Sequence, residues 1–225
     1  MAKEICIPFT RVRIDRFLAL LVTLVSMFVL RPFLEGFVGI NLLMDIFTSF
    51  VLISGTYAVS RKRGIFVAAV VLALPALLAQ WAGYFVKNPS FILMGNVFGM
   101  LALAYIAIII LSYLFRANEV TVDIILGAIC VYFLIGLMWA SAYSILAALQ
   151  PGSFQISEGP GGGMSHFSYF SFVTLTTLGY GDVTPVSSAA RSLSILEAVM
   201  GQLYLAVLIA RLVGMHIVQA KRAAS

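Results

Sequence analysis

Long apolar runs, separated by short polar stretches, organise this chain from end to end. A helix needs about 20 apolar residues to cross the hydrocarbon core of a bilayer. By that measure the runs predict six transmembrane helices, with one shorter helix before the last of them. The predicted spans are 14–34, 40–59, 65–86, 91–115, 120–149 and 188–216, and the shorter helix is 166–177. The predicted fold class is therefore an all-α integral membrane protein.

The first run is the shortest, because only 14 residues separate Arg16 from Arg31. A long basic side chain near a helix end reaches the headgroups, so we keep this run as a span. A cleaved signal peptide is the alternative, since a basic segment precedes the apolar one. The small residues of a cleavage site do not follow, and Arg31-Pro32-Phe33 stands where they would be needed.

The composition supports a membrane protein. The chain has 225 residues, of which 62% are hydrophobic and only 10% are charged. Soluble domains carry roughly 25% charged residues. The two cysteines, Cys6 and Cys130, lie far apart and have no neighbouring ligand set. We therefore expect neither a disulfide between them nor a metal site.

The distribution of Lys and Arg predicts the orientation in the membrane. Basic residues on one side are Lys3, Arg11, Arg13, Arg16, Arg61, Lys62, Arg63, Arg116, Lys221 and Arg222; on the other they are Arg31, Lys87 and Arg191. The first group marks the cytoplasmic side, so both termini are predicted inside and residues 150–187 outside. This bias accounts for the net charge of +5, and we infer no nucleic-acid partner from it. Short loops favour a prokaryotic inner membrane.

The outer loop contains the sequence with the clearest chemistry. Residues 176–182 read Thr-Thr-Leu-Gly-Tyr-Gly-Asp. Consecutive carbonyl groups point the same way only where backbone dihedral angles alternate in hand, and Gly179 and Gly181 accept positive φ without steric cost. Stacked carbonyls of residues 177–180, together with the Thr177 hydroxyl, would replace the water shell of a cation. An ordinary turn between two helices is the alternative interpretation.

This run resembles the selectivity filter of tetrameric potassium channels, in the form TVGYG. Leu178 replaces the valine, which leaves the backbone chemistry unchanged. The resemblance implies that K⁺ binds at Thr177, Leu178, Gly179 and Tyr180, with no other cofactor. It also implies supporting roles for Thr176, Gly181 and Asp182, with Tyr180 bracing the ring and Asp182 concentrating cations at the outer mouth.

The resemblance extends over residues 120–216, in the order span, polar turret, pore helix, filter and inner helix. The turret, Pro151 to Gly163, is rich in glycine and is not expected to be helical. On the inner helix, Arg191 matches a basic residue of the family and Gly201 matches its gating hinge. Pore-lining positions at helical spacing are Gln202, Leu205, Ile209 and Val213. Helix–helix packing is the alternative for the aliphatic members, and an interhelical hydrogen bond is the alternative for Gln202.

Two departures from the family pattern concern the support of the filter. Many relatives carry a pair of tryptophans on the pore helix, where this chain has Tyr169 and Phe170. Phe170 donates no hydrogen bond, so a clamp on Tyr180 should be weaker. Some relatives place an acid beneath the filter, where this chain has Val173, so Asp182 lacks that partner. Inactivation at the filter should therefore differ from those relatives.

Six spans with one pore loop also resemble the layout of voltage-gated channels. A voltage sensor needs several basic residues along the fourth span, because each charge yields only about 2.3 kcal/mol per 100 mV. Residues 91–115 contain no charged residue. We therefore predict a non-sensing peripheral domain over residues 1–119, a pore domain over 120–216 and a short cytoplasmic tail over 217–225.

Several ionisable residues fall within or beside the spans, where they are functional candidates. We expect Glu197 to buttress the pore helix by bonding Thr174 or Thr176, and a contribution to the electrostatic potential of the cavity is the alternative. We expect Asp45 to cap the second helix near its outer end. Glu197 and Arg211 cannot pair, because 14 residues of helix cover ~21 Å. His166 is interpreted as a helix-start residue and His216 as an interfacial anchor.

One filter sequence per chain requires four copies to close a ring of carbonyls. The sequence therefore predicts a voltage-independent, potassium-selective homotetrameric channel, with K⁺ and membrane lipid as its other partners. A potassium transporter with four degenerate filter repeats, a weakly selective cation channel and a non-conducting subunit are the alternatives. No nucleophile–base set or phosphate loop indicates an enzyme. The stimulus that opens the pore and the role of the first four spans stay open.

Overall fold

The computed structural model describes residues 16–34, 40–59, 63–86, 88–117, 119–156 and 164–224. Within these ranges the chain forms seven helices and two short strands. The helices are α1 (Arg16–Leu34), α2 (Ile40–Ala58), α3 (Arg63–Val86), α4 (Pro89–Arg116), α5 (Val122–Leu149), α6 (Met164–Leu175) and α7 (Ser188–Ala224). The strands are β1 (Phe154–Ile156) and β2 (Val183–Pro185).

Four segments of the described chain are long and apolar enough to cross a membrane: Arg63–Gly83, Pro89–Arg116, Val122–Leu149 and Ser188–Ala220. Residues Phe17–Leu30 form a shorter apolar helix. The chain is thus a multi-pass membrane protein in which helices occupy all six predicted spans. That α1 and α2 also cross the bilayer stays a prediction.

Polar caps fix where the two long central helices begin. Asn88 precedes α4 and accepts a hydrogen bond from the Ser90 amide, with Pro89 at the first helical position. Thr121 precedes α5 and accepts from the Ile124 amide. Such residues satisfy amides that have no partner inside the helix. These caps place the junction between α4 and α5 in the short segment around residues 117–121.

Helices α1 and α4 pack directly on α5, which belongs to the predicted pore domain. Helix α4 lies between α3 and α5, and α1 packs on both α2 and α5. The Phe28 ring of α1 contacts the Phe172 ring of α6 at 4.7 Å between centroids, and Phe133 of α5 completes this aromatic cluster. The predicted peripheral domain therefore contacts α6, the short helix that precedes residues 176–182.

The structure adds two features to the predicted organisation and corrects one prediction. In the turret, Phe154–Ile156 forms a strand that pairs antiparallel with Val183–Pro185, because residues on either side of α6 return to the same edge. Helix α7 continues to Ala224, so the predicted tail at 217–225 is largely helical. Asp45 lies inside α2 and does not cap it; its carboxylate accepts a hydrogen bond from Gln80 of α3 at 2.8 Å.

Candidate functional site

The filter segment, residues 176–182, begins as the C-terminal cap of α6. The Leu178 amide donates to the Val173 carbonyl and the Thr177 amide donates to the Thr174 carbonyl, both at 2.9 Å. This pair of bonds is the Schellman pattern, in which the residue after the helix adopts a left-handed conformation. Thr177 occupies that position with φ of 60°. The helix end therefore fixes the direction in which the filter segment leaves it.

Backbone dihedral angles alternate along the filter segment. Thr177, Gly179 and Gly181 have φ of 60°, 58° and 83°, while Leu178 and Tyr180 between them are not in the positive-φ region. Among the described residues, Thr177 is the single non-glycine residue with positive φ, a conformation that is an outlier for a β-branched side chain. Strain of this kind gathers at functional sites. This is the alternation that stacked carbonyl groups require.

Two tyrosines brace the outer part of the filter segment. The rings of Tyr169 in α6 and Tyr180 in the filter are stacked, with centroids 6.5 Å apart and planes 8° from parallel. The Tyr169 hydroxyl also donates a hydrogen bond to the Asp182 carboxylate. This bond lowers the pKa of Asp182 below its usual 3.8 and raises the pKa of Tyr169 to about 12. Asp182 therefore has a partner on the pore helix that is a phenol and not an acid.

Replacing Tyr169 with Phe tests the contribution of that hydrogen bond to the charge at the mouth. A lowered carboxyl pKa keeps Asp182 ionised as the pH falls, so its loss should let Asp182 take up a proton at a higher pH. We expect conductance of the Tyr169→Phe variant to fall earlier than that of the wild type on outer acidification between roughly pH 5 and pH 3. Single-channel recording measures this, and Asp182→Asn should remove the dependence from both backgrounds.

Phe170 and Val173 face the interior of the subunit. Phe170 is buried and makes edge contacts with Tyr143 of α5 and Phe154 of β1, with ring centroids 5.0 and 5.5 Å apart. Val173 is also buried. In place of a hydrogen-bonding clamp from Phe170, the described chain has an aromatic cluster that holds α6 against α5 and β1. His166 lies in the first turn of α6, as interpreted from the sequence.

Glu197 joins the three helices of the pore region. Its side chain is fully buried, and its two oxygens lie 2.5 Å from the Tyr143 hydroxyl of α5 and the Ser171 hydroxyl of α6. The Ser171 hydroxyl oxygen also lies 2.6 Å from the Gly136 carbonyl oxygen of α5, so its single proton has two acceptors within reach. The predicted partners were Thr174 and Thr176, but the carboxylate bonds Ser171, one turn earlier. Thr176 donates instead to the Phe172 carbonyl. The contact with the pore helix is therefore present with a different residue.

Gly201 lies where α7 packs closely against the end of α6. A Cβ atom at this position would be 2.5 Å from the Leu175 carbonyl oxygen, which real Cβ atoms essentially never are. Helix α7 is continuous through Gly201, so the structure gives this glycine a packing role. The role of Gly201 as a gating hinge concerns bending of α7, and it stays a prediction. The Leu175 carbonyl also accepts from the Tyr132 hydroxyl at 3.4 Å.

The four predicted pore-lining residues share one exposed face of α7. Gln202, Leu205, Ile209 and Val213 are all exposed in the single chain. A second apolar stripe on the same helix is exposed as well, at Leu196, Val199, Leu203 and Val207. A helix with two uncovered faces has room for both a pore and a neighbouring copy.

The sequence did not single out the partners that hold this site together. Tyr143, Ser171 and Tyr132 stand among apolar residues of long helices, where Ser and Tyr are common. Nothing local distinguishes a serine that bonds a carboxylate from one that bonds its own helix. The positive φ of Thr177 was equally hidden, because a threonine gives no sequence signal for a left-handed conformation. A buried acid in the inner helix was the one available signal, and it pointed to Glu197 alone.

Comparison with known proteins addresses the same part of the chain. Residues 119–216 match the model of a family described as "Ion channel". A curated relative, "Two pore potassium channel c" from Oryza sativa subsp. japonica, is 44% identical over 62 residues, or 28% of this chain. The chain covers only 13% of the length of that relative. The protein is thus a multi-pass membrane protein whose residues 119–216 are similar to an ion-channel domain.

Proposed function

We propose that this protein is a potassium-selective channel and that the filter segment is its ion-binding site. The observation that carries the proposal is the alternation of left-handed backbone at Thr177, Gly179 and Gly181 within a Thr-Leu-Gly-Tyr-Gly sequence. Alternating hands let carbonyls of residues 177–180 face one side and replace the water shell of K⁺. The potassium channel that is similar to 62 residues of this chain supports K⁺ as the permeant ion.

The pore is formed by a homotetramer with its conduction axis shared among four copies. Each chain supplies one filter segment, so a closed ring needs further copies related by cyclic symmetry. The two exposed apolar stripes of α7 support this arrangement, because one can line the cavity while the other packs on a neighbour. Gln202, Leu205, Ile209 and Val213 line the cavity, and Gly201 allows bending there. The protein lies in a prokaryotic inner membrane, and both of its termini are on the cytoplasmic side.

Helix α4 does not act as a voltage sensor for the opening of this channel. The helix carries its one charged residue, Arg116, in its last turn. A single charge at the end of a span moves through too little of the field to drive gating at ~2.3 kcal/mol per charge per 100 mV. Helices α1–α4 therefore form a peripheral domain that does not sense voltage.

Current through purified protein in planar bilayers tests this function directly. With K⁺ on one side and Na⁺ on the other, we expect a reversal potential near that of K⁺ and an open probability that is flat across voltage steps. A reversal near zero would identify a weakly selective cation channel. Slow, saturable flux without unitary currents would identify a transporter. Native mass spectrometry of the same sample should give four copies of the 24.4 kDa chain.

A further inference from the structure

Arg211 connects the lower half of α7 to the end of α4. Its Nη2 amino group, whose two protons are shared among three acceptors, donates to the carbonyl oxygens of Leu114, Phe115 and Ala117, at 3.2, 2.7 and 3.1 Å. The guanidinium carbon also lies 4.9 Å from the centroid of the Phe115 ring. The last carbonyls of a helix have no partner within it and carry partial negative charge. Arg211 supplies both a donor and a positive charge to that end of α4.

This contact lies on the opposite side of α7 from the predicted pore-lining face. Gln202 and Arg211 are nine residues apart, or roughly two and a half helical turns, so their side chains point in opposite directions. Leu205, Ile209 and Val213 lie on the Gln202 side. A bond at Arg211 therefore holds this part of α7 toward the peripheral domain, on the side opposite to the face that lines the pore.

The bond at Arg211 is one of a series along the same side of α7, which we name the back face. The upper contacts are those of Glu197 with α5 and α6. Tyr204 follows, and its hydroxyl donates to the Ala128 carbonyl of α5 at 2.6 Å. Below Arg211, the Gln219 side chain accepts from the Val120 amide at 3.3 Å. The upper contacts join α7 to its own pore region, whereas Arg211 alone among these four reaches a peripheral helix.

We propose that Arg211 is a gating latch, through which the peripheral domain holds the inner end of α7 back from the pore axis. The inference rests on the proposed function, and it assigns a role to helices α1–α4: they anchor the gate and do not sense voltage. The exposed side chains at Leu205, Ile209 and Val213 supply the opposing force. When α7 is released in four copies, these apolar faces move toward one another and close the pore, since contact removes them from water.

The test replaces Arg211 with Gln and uses Arg116→Gln as its matched control. Both substitutions remove one positive charge near the end of α4, but Arg116 is exposed and Arg211 makes the three carbonyl bonds. In bilayers, open probability of Arg211→Gln should fall at least tenfold with the reversal potential unchanged, while Arg116→Gln stays within about twofold of wild type. Arg211→Lys, which keeps a donor and a charge, should recover part of the loss.

Hydrogen exchange of the purified tetramer gives a readout that does not depend on current. Amides at the end of α4 and the start of α5 should exchange faster in Arg211→Gln than in wild type or Arg116→Gln. Unchanged open probability in a conducting Arg211→Gln channel overturns the latch alone, whatever the exchange shows. Equal losses in both variants also overturn it, because the effect is then one of charge. A wild-type protein that carries no K⁺ current removes the proposed function and the latch with it.

Discussion

Replacing Gly179 with Ala is expected to abolish the discrimination between K⁺ and Na⁺. Gly179 has φ of 58°, and an alanine in the left-handed region costs about 1–2 kcal/mol. No atom of the chain lies within 4 Å of a Cβ built at this position, so the cost arises from backbone conformation and not from a clash within the subunit. A residue that leaves the left-handed region turns its carbonyl away from its neighbours. Four such changes would break one ring of ion ligands.

Gly152 offers the matched control for this substitution. It lies just after α5, has φ of 84° and also has open space around a built Cβ. Gly152→Ala therefore introduces similar backbone strain outside the filter segment. We expect the reversal potential under a K⁺/Na⁺ gradient to move toward zero for Gly179→Ala and to stay near that of K⁺ for Gly152→Ala. Full selectivity in a conducting Gly179→Ala channel would show that ion choice is made elsewhere in the pore.

Replacing Glu197 with Ala is expected to destabilise the pore region by about 2–4 kcal/mol. The buried Tyr143 hydroxyl would lose its acceptor, and the removed side chain would leave a cavity between α5, α6 and α7. An unsatisfied buried hydroxyl alone costs about 1–3 kcal/mol. Thermal unfolding of the purified protein should show a Tm lower by roughly 5–15 °C. We expect the filter segment to be less firmly positioned as well, because the same carboxyl group holds Ser171 on α6.

Glu197→Gln separates hydrogen bonding from charge. The Ser171 hydroxyl has one proton and lies within bonding distance of both the Gly136 carbonyl and Glu197. A Gln side chain can accept from Tyr143 through its oxygen and donate to Ser171 through its nitrogen, which frees the serine proton for Gly136. We expect its Tm to stay close to that of the wild type. A Gln variant as unstable as the Ala variant would contradict this account and make the carboxylate charge itself essential.

Much of the helical framework could be predicted because its causes are local. The apolar runs and their polar ends predicted each helix to within a few residues, apart from α7, whose helix continues eight residues past the predicted end at 216. Likewise, the filter segment carries its own requirement for positive φ in Gly179 and Gly181. The sequence could not reveal that Thr177 shares this conformation, since its φ follows from the way α6 ends.

The contacts between helices depended on the tertiary structure, because they require the rotation of each helix about its axis. A sequence shows that Glu197 and Arg211 lie in an apolar helix, but it does not show which neighbour each one faces. The structure joins Glu197 to Tyr143 and Ser171, and Arg211 to the end of α4. The same holds for Tyr169, which approaches Asp182 only after the chain turns back beside α6. Membrane embedding, helix positions and the positive φ of Gly179 and Gly181 were thus determined by local sequence, whereas packing decided how residues 176–182 and α7 are held.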